Sequence, residues 1–326
     1  MPKQKILISK NLPADCLTPF ESQFDFTMPP EADAAYDYNT VLHMIPDYVG
    51  CFAVDLIADK AFFDAAKNLK AIANFGVGYD RIDWQYATER GIPVLNTPTQ
   101  VTESTAELTV ALMMAVMRSI PHYDREVRQK IWNSPLFSQQ NTQLYGSTLG
   151  ILGLGRIGKA VCRKARGLGM HVIYYDVFRC DEVVEKELDA TYMSFDDVLA
   201  QSDCVTLHMP YSSETHHLFG ADTFAKMKPD AYFINAGRGK LVDEKALCQA
   251  LANNVIKGAG LDVYEEEPIV SEALLTMDNV VLTPHIASLT MRSRIGMARE
   301  GLEGLTAVLL GQQPTNVVNP SVFDAK

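Results

Sequence analysis

The first hundred residues alternate short apolar runs with stretches of helical spacing. The apolar runs are "KILIS", "CFAVDLI", "KAIANFGVG" and "IPVLNT". The stretches whose apolar residues have helical spacing are "DKAFFDAAKN" and "IDWQYATERG". Runs that are apolar throughout are typical of parallel strands covered on both faces. This part of the chain therefore predicts a small parallel α/β unit.

A second and stronger series begins near Ser147. Its predicted strands are "TLGILG", "HVIYYD", "CVTLHMP", "AYFINA", "GAGLDV" and "NVVLTP", with "DEKALCQALANN" as the clearest helix between them. A long apolar helix, "TESTAELTVALMMAVMRSI", and a second helix, "YDREVRQKIW", come before this series, and a last long helix starts near Thr290. The predicted fold class is α/β, with two doubly wound parallel sheets.

Composition narrows the functional classes. The chain has 326 residues, of which 47% are hydrophobic and 21% charged, which suits two globular domains. A net charge of −11 argues against general binding to nucleic acid or to an anionic membrane. The six cysteines show no CxxC spacing, and the start carries no long apolar segment, so we expect reduced thiols in a cytoplasmic protein.

A glycine pattern marks the start of the second series. Gly153, Gly155 and Gly158 have the spacing G-x-G-x-x-G between a predicted strand and a predicted helix. The first glycine permits a tight turn, the second lets a pyrophosphate approach the backbone, and the third lets helix and strand pack closely. The pattern predicts a dinucleotide site, and the alternative is an ordinary glycine turn without a ligand.

Asp176 ends the next predicted strand, 18 residues after Gly158. Its carboxylate can accept hydrogen bonds from both ribose hydroxyls of adenosine and would repel a 2′-phosphate. This favours NAD over NADP, although Arg179 nearby could partly offset the repulsion.

Three polar residues follow late strands of the same series: Arg238, Glu267 and His285. Ligands of doubly wound sheets bind at the carboxyl ends of the strands, so these side chains are expected at one crevice. His285 is suited to proton donation, Glu267 to fixing the imidazole tautomer, and Arg238 to gripping a carboxylate and its neighbouring carbonyl. Each also has an ordinary interpretation, as a solvated arginine, a solvated acidic run or a loop histidine. Glu265 and Glu266 are expected to be solvated.

The chain resembles the D-isomer-specific 2-hydroxyacid dehydrogenase family. The matching stretches cover most of the chain in the same order: "NFGVGYDRID", "TLGILGLGRIGKAV", "INAGRGKLVDEKAL", "GLDVYEEEP" and "LTPHIAS". The resemblance implies a Rossmann NAD-binding domain, residues 102–288, inserted in a flavodoxin-like substrate domain, residues 1–101 and 289–326. It also implies a homodimer held largely through the helices after residue 101.

The resemblance assigns roles to individual residues. Arg238, Glu267 and His285 would be catalytic, and the backbone of Val77 and Gly78 would bind the substrate carboxylate. The substrate-binding residues would be Val77, Gly78, Arg238 and His285. Asp262 would reach the nicotinamide carboxamide, and Pro210 and Ser212 would line the adenine side. The full expected cofactor set is Gly153, Gly155, Arg156, Ile157, Gly158, Asp176, Pro210, Ser212, Thr215, Ala236 and Asp262.

No metal site is predicted, because no cysteine or carboxylate cluster accompanies His208, His216 and His217.

Departures from other branches of the family narrow the expected substrate. Glu267 in place of a glutamine argues against formate, and Val77 in place of a lysine argues against phosphite. Leu289 stands where D-lactate dehydrogenases usually have an aromatic residue, and the chain has no added C-terminal segment like that of large phosphoglycerate dehydrogenases. The expected activity is reduction of glyoxylate, hydroxypyruvate, 2-ketogluconate or a similar 2-oxo acid. The open alternatives are an NADH-sensing corepressor-like module and D-lactate or phosphoglycerate dehydrogenase chemistry.

Overall fold

A computed structural model describes residues 2–137 and 140–324 of the chain. They form two compact units, Met1–Val101 with Ser288–Lys326, and Thr102–Ala287. The strands are β1 Gln4–Ile8, β2 Phe24–Thr27, β3 Gly50–Ala53, β4 Ala71–Asn74, β5 Val94–Leu95, β6 Thr148–Leu152, β7 His171–Tyr175, β8 Ala190–Tyr192, β9 Cys204–Leu207, β10 Tyr232–Asn235, β11 Gly258–Leu261 and β12 Val280–Leu282.

The helices alternate with these strands. They are α1 Tyr38–Met44, α2 Lys60–Ala65, α3 Trp84–Glu89, α4 Thr102–Met117, α5 Ile120–Arg128, α6 Arg156–Gly167, α7 Glu182–Leu188, α8 Phe195–Gln201, α9 Ala221–Phe224, α10 Glu244–Ala252, α11 Glu272–Thr276 and α12 Met291–Leu309. Aspartate side chains cap several of them: Asp37, Asp59 and Asp83 each accept the N–H three residues further on.

The first unit contains a parallel sheet with the strand order β2-β1-β3-β4-β5. This is the order of flavodoxin-like sheets. Both faces are covered, because Leu7 belongs to one apolar cluster whereas Ile6 and Ile8 belong to the other. The C-terminal helix α12 packs on β3, β4 and β5, so the two ends of the chain build one unit.

The second unit contains a parallel sheet with the order β12-β11-β10-β9-β6-β7-β8. When the strands of this unit are numbered separately from those of the first unit, their order is the Rossmann order with one additional strand. Phe233 joins the apolar cluster on one face, and its neighbours Tyr232 and Ile234 join the cluster on the other. The predicted doubly wound α/β class is confirmed in both units.

Two edge strands were missed by the apolar pattern. β2 reads "FDFT", with Asp25 exposed, and β8 reads "ATY", with one fully buried position in three. Edge strands are covered less completely than central ones, so their sequences lack the continuous apolar run that the prediction relied on.

Two features of the described residues concern the class of protein: membrane-spanning helices and the state of the cysteines. No helix among them is both long and apolar enough to cross a membrane. The six cysteines are free thiols, four of them buried.

Gly158→Ala should destabilise the second unit. A Cβ at Gly158 would overlap the carbonyl oxygen of Gly153, a backbone atom that cannot move aside cheaply. We expect a loss of about 2 kcal/mol or more in the free energy of unfolding, measured by urea denaturation. Gly167→Ala, in the same helix, is the control, because its Cβ would meet nothing within 4 Å. Equal unfolding midpoints for the two variants would contradict the close-packing argument.

Candidate active site

The glycine turn after β6 leaves the start of α6 open. Gly153 has φ of +96°, and a Cβ there would lie 2.7 Å from the carbonyl oxygen of His208. Gly155 is the N-cap of α6 and is exposed, and a Cβ there would meet nothing within 4 Å. Arg156 and Ile157 follow in the first turn. Open backbone at a helix N-terminus is what a pyrophosphate requires, so these residues fit a dinucleotide.

Asp176 lies against the same turn. Its Oδ2 accepts the Leu154 N–H at 2.7 Å, and its Oδ1 accepts the Phe178 N–H at 3.1 Å. The two amides hold the carboxylate at the end of β7, and the side chain is only half-buried. A carboxylate oriented in this way fits ribose hydroxyl donors.

Four further predicted cofactor residues, Pro210, Ser212, Thr215 and Ala236, follow β9 and β10 at the carboxyl ends of the strands. Ser212 donates its N–H to Thr215 Oγ1 at 2.7 Å, and Thr215 Oγ1 donates to the Pro210 carbonyl at 3.2 Å. Ala236 directly follows β10 and is buried. These contacts form a compact turn; their role toward a cofactor stays a prediction.

Arg238, Glu267 and His285 follow β10, β11 and β12, which are neighbours in the sheet. The structure brings Glu267 and His285 together: Nδ1 of His285 lies 2.9 Å from Oε2 of Glu267. Arg238 stands at the next strand end, where its Nη1 donates to the Gly237 carbonyl at 2.8 Å. The parallel topology thus gathers residues that are 47 positions apart along the chain.

The pairing sets the tautomer of His285. An ionised Glu267 can only accept hydrogen bonds, so Nδ1 carries the proton and Nε2 is left for a ligand. The His285 side chain is 50% exposed and the Glu267 side chain 27%. The second carboxylate oxygen of Glu267 accepts the Tyr264 N–H at 3.2 Å, which restrains the glutamate.

Asp262 anchors the loop that carries His285. Its side chain is fully buried and accepts hydrogen bonds from Thr283 Oγ1 at 2.6 Å, the Ile286 N–H at 2.8 Å and the Ala287 N–H at 2.9 Å. Its carbonyl oxygen accepts the His285 N–H at 2.8 Å. His285 is held with φ of +54°, a conformation that is uncommon for a residue other than glycine.

In the first unit, the loop after β4 is shaped by two asparagines. Asn74 donates to the carbonyls of Gly76 and Gly78, at 3.1 and 2.7 Å, and Asn96 donates to the Val77 carbonyl at 2.8 Å. These bonds use the carbonyl groups of the loop. Among the described residues, no hydrogen bond is found that uses the amide groups of Val77 and Gly78.

Comparison with known proteins decides the family. The model of "D-isomer specific 2-hydroxyacid dehydrogenase, NAD binding domain" matches residues 110–287, more than half of the chain. The chain belongs to this family. It is an NAD-dependent oxidoreductase.

Full-length relatives agree with this assignment. A glyoxylate reductase of Korarchaeum cryptofilum is 40% identical over 99% of this chain and 98% of its own. The crystal structure of a glyoxylate reductase from Paecilomyes thermophila has a TM-score of 0.87 at 31% identity, covering 98% of this chain and 99% of that one. An NADPH-dependent glyoxylate/hydroxypyruvate reductase from Sinorhizobium meliloti, solved with NADP and malonate, has a TM-score of 0.84 at 30% identity and 98% coverage of both chains.

Sequence reasoning overlooked Asn235, the last residue of β10 in this dehydrogenase. It is buried, donates from Nδ2 to the Arg238 carbonyl at 3.0 Å, and accepts the Gly237 N–H on Oδ1 at 3.0 Å. Asn235 therefore sets the shape of the loop that presents Arg238. An asparagine closing an otherwise apolar strand was the available signal.

The expectation that Glu265 is solvated is wrong. Glu265 Oε1 lies 2.6 Å from Nε2 of His217, and Oε2 accepts the Glu244 N–H at 3.1 Å. In return, Glu244 accepts the N–H groups of Glu265 at 3.1 Å and of Ser271 at 2.8 Å. The reciprocal contacts tie the start of α10 to the segment that carries Glu267. Glu266 is exposed, as expected.

Residues 2–137 and 140–324 contain no group of three or more histidine, cysteine, aspartate or glutamate side chains that could hold a metal ion. His216 instead stacks on His217, with ring centroids 3.9 Å apart.

His208 should make stability depend on pH. Burial lowers its pKa from 6.5 to about 4, and Nε2 lies 3.1 Å from Thr206 Oγ1. Between those two pH values the unfolded chain binds a proton that the native protein does not, so stability falls as the pH drops from about 6.5 to about 4. The shift corresponds to roughly 3 kcal/mol at most.

The test compares urea unfolding at pH 7.5 and pH 4.5. His208→Asn should lose less stability between the two pH values than the wild type, by about 2 kcal/mol. His171→Asn, at an exposed position of the same unit, should keep the wild-type difference. An unchanged difference in His208→Asn would show that His208 does not govern this dependence.

Proposed function

We propose that the chain reduces a 2-oxo acid, such as glyoxylate, hydroxypyruvate or 2-ketogluconate, to the D-2-hydroxy acid with NADH. The observation that carries the proposal is the 2.9 Å contact between His285 and Glu267 at neighbouring strand ends of the dinucleotide-binding unit. The relatives named as glyoxylate reductases supply the substrate class.

His285 acts as the general acid. NADH, held by the glycine turn and Asp176, would supply the hydride for the carbonyl carbon, and reduction also requires one proton at the carbonyl oxygen. His285 delivers that proton from Nε2, because Nδ1 is occupied by Glu267. The Glu267 carboxylate stabilises the protonated ring before transfer and fixes its orientation, in the manner of a carboxylate–histidine pair.

Arg238 binds the substrate through its guanidinium fork. Two parallel N–H donors match a carboxylate, and their positive charge also polarises an adjacent carbonyl. The backbone carbonyl of Arg238 accepts a hydrogen bond from Asn235 Nδ2, so the arginine is presented from a restrained loop. A solvated turn arginine would not need this support.

In the first unit, the Val77 and Gly78 amides are proposed as donors to a substrate carboxylate. Asn74 and Asn96 hold the carbonyls of the loop, so its remaining hydrogen-bonding capacity lies in N–H groups. Adjacent amides of this kind suit an anion.

Asp176 is proposed to select NAD. Its carboxylate would accept ribose hydroxyls and repel a 2′-phosphate. Asp262 and the turn from Pro210 to Thr215 are proposed to complete the cofactor site.

We further propose a cytoplasmic homodimer. Large apolar side chains after α5 are strongly exposed: Trp132 is 86% exposed, and Leu136 and Phe137 are each 89% exposed. Clustered exposed apolar groups of this size favour an interface with a second copy.

His285→Asn should lower kcat by about 10²–10⁴-fold, because asparagine cannot donate a proton in this role. NADH affinity, followed by fluorescence quenching, should stay within about twofold, since the glycine turn and Asp176 are unchanged. Glu267→Gln tests the hydrogen-bonding partner of His285 and should have a smaller effect. It keeps the size of the side chain but removes the charge, so it should lower kcat less than His285→Asn. Near-normal turnover in His285→Asn would remove the histidine from its proposed role.

The substrate proposal is tested by following NADH oxidation with glyoxylate, hydroxypyruvate, pyruvate, phenylpyruvate and 2-ketogluconate. We expect turnover with at least one, and a higher kcat/KM with NADH than with NADPH because of Asp176. Silence across the panel with NADH still bound would favour the NADH-sensing module instead. Equal kcat/KM for the two cofactors would remove Asp176 as the selecting residue.

A further inference from the structure

Arg179 lies three residues beyond Asp176, where an arginine could meet a 2′-phosphate. The structure shows it engaged elsewhere. Its Nε and Nη2 each lie 2.9 Å from one carboxylate oxygen of Glu185, a two-point contact between planar groups. The guanidinium also lies 5.3 Å from the centre of the Tyr192 ring. This geometry is the strongest that an arginine forms with a carboxylate.

Glu185 is itself held in place. It lies in the first turn of α7, and its Oε1 also accepts the hydroxyl of Tyr174 at 2.7 Å. Tyr174 is buried in β7, and its hydroxyl accepts the Cys180 N–H at 3.1 Å. The Glu185 side chain is only 12% exposed. The carboxylate is therefore fixed by a buried tyrosine, whereas Arg179 is 56% exposed and depends on Glu185 for its position.

Glu185 and Arg179 are both ionised at neutral pH. The hydrogen bonds from Arg179 and Tyr174 lower the pKa of Glu185 to about 2. The same contact raises the pKa of Arg179. Glu185 is therefore ionised at neutral pH.

We propose that Glu185 is a specificity-determining positioning residue, which withholds Arg179 from the 2′-phosphate of NADP and so reinforces the preference for NAD. Recognition of a 2′-phosphate commonly uses an arginine near this strand end. Here the charge of the arginine is already compensated by Glu185, so it is not available to offset the repulsion between Asp176 and a 2′-phosphate. The inference rests on the proposed contact of Asp176 with the adenosine ribose.

A purely structural role for Glu185 predicts something different. If the pair only stabilised the start of α7, then removing the charge would lower stability and leave nucleotide preference unchanged. The two interpretations are separated by measuring preference directly, with probes that differ only in the 2′-phosphate.

The experiment measures binding of adenosine 5′-phosphate and adenosine 2′,5′-bisphosphate by calorimetry. Glu185→Gln keeps the size of the side chain and an acceptor for Tyr174, but removes the charge that holds Arg179. We expect affinity for the bisphosphate to rise about fivefold, as for one exposed arginine–phosphate contact, while affinity for the monophosphate changes by less than about twofold. The gain should shrink with added salt.

Three variants make the result specific. Arg179→Ala alone should leave the bisphosphate affinity of the wild type unchanged, because the arginine is withheld there. Arg179→Ala combined with Glu185→Gln should lose the gain. Glu187→Gln removes the same charge from an exposed position of the same helix and should show no gain.

Several outcomes would overturn the inference. These are unchanged bisphosphate affinity in folded Glu185→Gln, an equal gain in the double variant, or an equal gain in Glu187→Gln. Failure of the wild type to bind either probe at millimolar concentration would overturn both this inference and the proposed site. Because the probes need no turnover, a failed substrate panel would leave this result standing.

Discussion

The buried carboxylate of Asp262 makes the hydrogen bonds on which the placement of His285 beside Glu267 depends. Its hydrogen-bonding partners in the described part of the chain are neutral: hydroxyl and amide donors of Thr283, Ile286 and Ala287 compensate its charge. A buried carboxylate without such donors would be strongly unfavourable. The loop after β12 must therefore fold so that its amides point inward, and this places His285 in its left-handed conformation facing Glu267.

At the proposed cofactor site, two carboxylates are likewise held in fixed orientations by hydrogen-bond donors. Asp176 is oriented by two amides, and Glu185 is fixed by the Tyr174 hydroxyl. In the proposed scheme, Glu185 engages Arg179, the cation that would weaken selection by Asp176. Preference for NAD would then depend on attraction to the ribose and also on the arginine being engaged elsewhere. An NADPH-dependent structural neighbour at 30% identity indicates that this choice varies on one fold.

The fold was predictable where burial is complete. Central strands such as β9 and β10 are covered on both faces, so their apolar runs stand out in the sequence. The edge strands β2 and β8 are less covered and were missed. The predicted runs also extended past the strand ends, for example beyond Ala53 in β3, because apolar residues continue into buried loops that form no ladder. Apolar runs in the sequence indicate which residues are buried, whereas the ends of a strand are set by backbone hydrogen bonding.

The sequence by itself determined the doubly wound α/β class, the glycine turn, Asp176, and the candidates Arg238, Glu267 and His285, because their spacing relative to apolar runs is local information. Only the tertiary structure decided that His285 meets Glu267, that Glu265 joins Glu244 and His217, and that Arg179 is engaged by Glu185. These contacts join residues from different loops and helices. Their geometry depends on how the strands are ordered and how each loop satisfies its buried polar groups, which no local pattern specifies.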